Sequence, residues 1–212
     1  MPHYKHIIWD WNGTLLNDIR LSVDVINQLL LKYQKPAITP EMHRRLFDFP
    51  VRDYYLRLGF DFKMTPFEEV GGEFIQEYSA RWRECRLHAH AVQVLRFFQA
   101  QGLTQSILSA AEVQMVKAGA DHFGITHYFT ELAGLDHHYA PGKEDIARRF
   151  MQKLGVRAGS VLLIGDTTHD WHVAQDIGVD CILFSGGHHP MEKLATCQVP
   201  LIDDLRLCQN FV

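Results

Sequence analysis

The sequence has little of what would set it apart from ordinary globular proteins. Its four cysteines, Cys85, Cys181, Cys197 and Cys208, form no Cys-x-x-Cys pair and fit no zinc-ligand spacing. That argues against a disulfide scaffold or zinc module and suggests reduced thiols in a cytoplasmic protein. There is no apolar run of about 18 residues, so no membrane span is expected. The polar start, Met1 to His6, leads straight into a strand-like segment and is not expected to be a signal peptide. Basic residues are not in excess: 21 Lys and Arg stand against 25 Asp and Glu, a net charge of −4. This balance argues against a general nucleic-acid binder but leaves room for a local cationic site for a small phosphorylated molecule. No internal repeat or low-complexity tract occurs. What remains is a chain of 212 residues, 47% hydrophobic and 22% charged. It is long enough to bury a core without a covalent or metal staple.

Apolar periodicity divides the chain in two. Residues 6–9 form a short apolar segment ending at Asp10 and the Asn12-Gly13-Thr14 turn, the pattern of a buried strand stopping at a sheet edge. Residues 17–88 show only helical spacing. A helix is expected over 18–33, another begins at Thr39-Pro40-Glu41, a short one covers 52–58, and a longer one starts at Thr65-Pro66 and runs to about residue 86. From residue 90 onward, strands and helices alternate. Strands are expected over 105–109, near 128–132, 161–164, 181–184 and near 199–202, with helices over 91–101, 111–122, 144–154 and 170–177. Strands that are apolar throughout imply a parallel sheet covered on both faces. The expected architecture is therefore α/β: a Rossmann-like, doubly wound core made of residues 1–16 and 89–212, with an α-helical segment, 17–88, inserted after the first strand.

Polar residues fall where three of these strands end. The first stops at Asp10, the second at Ser109 and the fourth at Gly165-Asp166. Ligands of open parallel sheets bind outside the carboxyl ends of the strands. Asp10 and Asp166 side by side would repel unless a proton or cation lay between them, and hard oxygen ligands suit Mg²⁺. Asp170 can start the helix that follows or reinforce the metal site. Lys143 precedes a helix and can reach a phosphate oxygen and a carboxylate together. Thr14, Ser109 and the backbone amides after them, at Ala110 for the latter, can cradle phosphate oxygens.

These residues carry a resemblance. Asp10-Trp11-Asn12-Gly13-Thr14-Leu15, Ser109 in Ile-Leu-Ser-Ala, Lys143 in Pro-Gly-Lys-Glu-Asp, and Gly165-Asp166-Thr167-Thr168-His169-Asp170 resemble the four motifs of haloacid-dehalogenase superfamily hydrolases, of the phosphoglycolate-phosphatase-like type. The resemblance implies a Mg²⁺-dependent hydrolase of a small phosphorylated metabolite, monomeric or homodimeric, with residues 17–88 as a helical cap. In its terms Asp10 is the nucleophile. Asp10, Asp166 and the backbone carbonyl of Asn12 hold the metal, with Asp170 in support. Thr14, Ser109 and Lys143 neutralise the transferring phosphoryl group. Arg52, at the Phe49-Pro50 helix break, is expected to clamp a second anionic group of the substrate.

Position 12 departs from the family pattern, which carries a second aspartate there as general acid and base. An amide can do neither, and that role is typically worth about 10²–10⁴-fold in rate. The departure admits a phosphatase whose leaving group needs little protonation or that borrows another group, such as His169. It also admits a hydrolase of a C–P or C–halogen bond, or a phosphate-ligand-binding protein impaired in catalysis. Trp9 is expected to face the core and Trp11 to pack beneath the turn. The aromatic helix over 67–82 is expected to serve as the cap's own core. Of the paired histidines His137-His138 and His188-His189, one is a candidate substrate contact.

Overall fold

The protein is described by a computed structural model covering residues 4–136 and 143–212. In chain order its elements are β1 (His6–Trp9), β2 (Leu16–Asn17), α1 (Ile19–Lys32), α2 (Pro40–Leu46), α3 (Val51–Arg57), α4 (Phe67–Arg81), β3 (Arg86–Leu87), α5 (Ala91–Ala100), β4 (Thr104–Glu112), α6 (Val113–His122), β5 (Glu131–Leu135), α7 (Lys143–Leu154), β6 (Val161–Gly165), α8 (Thr168–Ile177), β7 (Asp180–Phe184), α9 (Met191–Leu194) and β8 (Leu201–Ile202), with short 3-10 turns between them.

Six strands form one parallel sheet in the order β5-β4-β1-β6-β7-β8. β1 and β6 are buried at every position. Alternate residues of β1 sort to opposite faces: Ile7 and Trp9 join one apolar cluster and Ile8 the other, which also holds Ile146 and Phe150 of α7 and Val173 of α8. This is why the strand is apolar throughout. The order makes β1 the switch point, since the chain moves to β4 and β5 on one side and then to β6, β7 and β8 on the other. A crevice opens at such a reversal.

Helices α1 to α4 lie between β2 and β3, and these two strands pair antiparallel, Leu16 with Leu87 and Asn17 with Arg86. Both ends of the helical segment therefore meet within seven residues of Asp10. α1 packs against α4. Thr39 caps α2, its side chain accepting from the Met42 amide, and Pro40 takes the first helical position. Gly178, in the left-handed conformation, ends α8.

Some boundaries differ from the sequence reading. β4 continues through Ser109 to Glu112, past the expected helix start at 111, and β5 begins at Glu131 rather than near 128. The longest helix of the inserted segment ends at Arg81, after which residues 82–84 form a 3-10 turn. Among the described residues no helix is long and apolar enough to cross a membrane.

Gly119 of α6 lies against Trp11, next in sequence to Asp10. A Cβ at 119 would come within 2.5 Å of the indole. Alanine for glycine inside a helix ordinarily stabilises by about 1 kcal/mol, but overpacking a buried ring costs about 1–3 kcal/mol. Gly119→Ala should therefore lower the melting temperature followed by circular dichroism, and an unchanged or raised value would contradict the packing.

Candidate active site

Register brings the motif residues together. Trp9 pairs with Ile107 of β4 and with Ile164 of β6, so Asp10, and Ser109 and Asp166 on either side, reach one sheet edge. Asp10, Asp166 and Asp170 are all buried, and an oxygen from each lies within 4.8 Å of the others. Lys143, at the start of α7, places its ammonium between two of them, 2.5 Å from Asp10 Oδ1 and 2.5 Å from Asp170 Oδ1. Asp170 starts the helix, one of its two expected roles, and also bonds Lys143. Its Oδ2 accepts from the Thr167 amide and hydroxyl, completing the capping box of α8, while Oδ1 holds Lys143.

The glycines of the motifs make room for these carboxylates. Gly13 adopts a positive φ of 79°, and a Cβ there would lie 2.2 Å from Asp166 Oδ2. A Cβ on Gly165 would meet the Asp170 carboxyl at 2.3 Å.

Burial and mutual repulsion set the ionisation of the cluster. Burial pushes Asp10 up to about 6, with the Lys143 charge opposing and Asp170 adding. Burial, with Asp10 and Asp170 reinforcing it, raises Asp166 well above the usual carboxylate range despite the nearby charge of His188. Burial works against a charged Lys143, but Asp10 and Asp170 more than offset it and hold the ammonium protonated. Burial likewise opposes ionisation of Asp170, yet Lys143 and Thr167 keep it below its ordinary value. Three converging carboxylates with only oxygen donors and one ammonium between them suit a hard divalent cation.

A second buried ion pair lies beside the first, and sequence reasoning missed it. Asp18 occupies the N-cap position of α1 but makes no side-chain cap bond. Its carboxylate instead accepts from the Gly13 amide (2.9 Å), Asn12 Nδ2 (2.8 Å), the Tyr78 hydroxyl (2.7 Å) and His188 Nε2 (3.1 Å). The backbone amide of His188 donates to Asp166, and its Nδ1 faces His43 Nε2 at 3.0 Å. Burial disfavours the imidazolium of His188, but Asp18, with Asp166 and Asp10, raises it to about 9. Asp18, though buried, is lowered to about 2 by His188 and its other donors. A lone Asp before a helix looks like an ordinary cap. The available signal was Asn12, an amide at a site-facing turn that needs an acceptor.

Two expected ligand contacts are corrected. The Thr14 hydroxyl donates to Asp166 Oδ1 at 2.9 Å, so it orients a carboxylate rather than facing a phosphoryl group. Arg52 is exposed, and its guanidinium lies over the Phe62 ring at 4.7 Å, outside the cavity lining. Ser109, whose Oγ accepts from the Ala111 amide, and Ala110 do line the cavity. A third correction concerns α4. Beyond forming core, it turns Phe67, Phe74 and Tyr78 toward the cavity. Trp9 is buried and donates to Gln105, and Trp11 is buried against Phe123. His189 accepts from the Thr168 amide, a structural role. His137 and His138 lie outside the described residues.

This edge gathers three buried acids around one lysine. The chain belongs to the haloacid dehalogenase-like hydrolase family, whose model matches residues 7–184. It is similar to a phosphoglycolate phosphatase of Pseudomonas fluorescens, 24% identical over 208 residues that cover 94% of this chain and 76% of that protein. IndB of Dickeya dadantii is 27% identical over 139 residues, 61% of this chain and 60% of IndB's length. Among solved structures, a haloacid dehalogenase-like family hydrolase from Streptococcus pneumoniae matches with a TM-score of 0.87 at 18% identity, over 100% of both chains, a likeness of fold.

The Asp18–His188 pair makes stability depend on pH. His188 is raised from 6.5 to about 9, so its contribution is complete below pH 6.5 and is lost as pH rises through 9. Asp18 is lowered from 3.8 to about 2, so its contribution holds above 3.8 and is lost as pH falls through 2. Chelator-treated protein should therefore lose melting temperature between pH 6.5 and 9, and His188→Gln should flatten that decline while lowering stability at pH 6. An equal slope in the variant would remove His188 as its source.

Proposed function

We propose that the protein is a Mg²⁺-dependent phosphatase of a small phosphorylated metabolite, working through an aspartyl-phosphate on Asp10. The observation that carries this reading is the buried set of Asp10, Asp166 and Asp170 around Lys143 at the sheet's switch point. Asp10, Asp166 and the backbone carbonyl of Asn12, with Asp170 in support, would hold Mg²⁺, which when bound neutralises negative charge on the phosphoryl oxygens. Asp10 attacks phosphorus in line with the ester oxygen. Lys143, fixed by Asp170, faces the phosphoryl charge, and Ser109 and the Ala110 amide orient it. Water then cleaves the acyl phosphate and frees Asp10. Residues 17–88 act as a cap that closes this edge from solvent, over a core of 1–16 and 89–212. The four cysteines are unpaired and buried, which supports a reducing, cytoplasmic setting.

The same geometry speaks against a decayed site. The Asn12 amide nitrogen donates to Asp18 and to the Tyr78 hydroxyl, as part of a built network rather than a gap where an acid used to be.

A panel of phosphorylated metabolites with Mg²⁺ should show phosphate release. It should fall to background with a chelator, and by about 10³-fold or more in Asp10→Asn, which keeps the shape but removes the nucleophile. Equal release by wild type and Asp10→Asn would overturn the proposal.

A further inference from the structure

Above Asp10 the helical segment and the sheet edge enclose a cavity of about 300 Å³. Its far wall is aromatic: Phe47, Phe49, Phe67, Phe74, Tyr78 and Trp82. Among the described residues Lys143 is the single lysine or arginine in the lining, and it is held by Asp10 and Asp170. Several polar side chains of the lining, which also includes Tyr55 and Glu112, are already bonded. The Tyr54 hydroxyl meets His43, Tyr78 is shared by Asp18 and Asn12, and the Ser79 hydroxyl donates to Met115 Sδ. A carboxylate, a second phosphate or a polyol placed there would lose water and find few partners, at a cost of several kcal/mol for a charge. An aromatic ring would bury its area and meet edges and faces of other rings.

The second observation concerns the proton. Asn12 has none to give. The imidazole of His188 is held at both nitrogens, by Asp18 and by His43. His169 lies flat on Phe49, ring centres 4.3 Å apart, with Nδ1 toward Glu144. An alkyl ester expels an alkoxide about as basic as hydroxide, whose conjugate acid has a pKa of ~15.7. A phenol ionises near ~10, so an aryloxide leaves without assistance.

We infer that the substrate is an aryl phosphate, a phosphate monoester of a phenol-type hydroxyl on an apolar ring, and that Asn12 is matched to this leaving group. The inference rests on the phosphatase reading. Asp10 Oδ bonds to phosphorus as the aryl O–P bond breaks, and the electron pair leaves with the aryl oxygen. Water then adds its oxygen to phosphorus, restoring the Asp10 carboxylate. One of its protons stays on phosphate and the other reaches the aryloxide through solvent.

The test compares kcat/KM of the Mg²⁺-loaded protein for phenyl phosphates of graded leaving-group acidity, for a simple alkyl phosphate and for phosphoglycolate. Calorimetry on Asp10→Asn with benzylphosphonate and phosphonoacetate reads ligand preference without turnover. Aryl esters should exceed alkyl esters by about 10²-fold or more, with rate rising as the phenol becomes more acidic. Asn12→Asp should narrow the gap by supplying a proton. Benzylphosphonate should bind at least about tenfold tighter than phosphonoacetate. Turnover that favours phosphoglycolate, or an aryl–alkyl gap unchanged in Asn12→Asp or widened by His169→Gln, overturns the inference and leaves the phosphatase reading standing. No turnover of any ester, with benzylphosphonate still preferred, overturns the phosphatase reading and the leaving-group argument with it.

Discussion

Burying four carboxylates at one sheet edge is the constraint on which the rest of this protein depends. Asp10, Asp18, Asp166 and Asp170 are all buried, and two cations, Lys143 and His188, stand among them. Buried charge is costly unless it is paired and hydrogen-bonded. The surroundings answer that cost in detail. Thr14, Thr167 and the amides of Gly13 and His188 donate to the carboxylates, and Gly13 and Gly165 are bare where any side chain would collide with one. The imbalance of two negative charges that remains is what a divalent cation would remove. The raised proton affinity of Asp10 and Asp166 comes first from burial, which disfavours their charged forms, and then from the neighbouring carboxylates.

Asn12 belongs to this balance. Its amide nitrogen lies 2.8 Å from Asp18 Oδ2. An aspartate in its place would add a fifth carboxylate at contact distance from a fourth, and one of the two would have to keep a proton. The amide donates instead. The departure from the family pattern at position 12 is therefore coupled to Asp18, to the Tyr78 hydroxyl bound to both, and to the charge on His188. A substitution that reads as the loss of one catalytic group is, in space, one member of a four-residue arrangement.

How much of this the sequence disclosed follows from what kind of signal each residue carried. Asp10, Ser109 and Asp166 were legible because parallel strands deliver their C-terminal residues to one edge, so chain order alone implied proximity. The capping role of Asp170 followed from local spacing. Thr14 and Arg52 were misplaced because residue type cannot tell a hydroxyl aimed at a ligand from one aimed at a carboxylate, or a clamp from a guanidinium stacked on Phe62. Asp18, Tyr78, His43 and His188 were missed as a set because they come from distant parts of the chain, and each alone looks ordinary. Helical periodicity in α4 identified a buried aromatic stripe but not that part of the stripe borders a cavity.

Several of the contacts that join the helical segment to the sheet edge are polar and buried or half-buried: Asn12 with Tyr78, His43 with His188, Arg44 with the Gly186 carbonyl. Closure and charge balance therefore draw on the same atoms. Here, moving Tyr78 away would withdraw a donor from Asp18, and moving His43 would free one nitrogen of the imidazole that faces Asp18. The hydrogen bonds that join the helical segment to the sheet edge therefore also bear on the ionisation of the site. The aromatic side chains line the cavity, while the hydrogen bonds behind them hold the charges that surround Asp10.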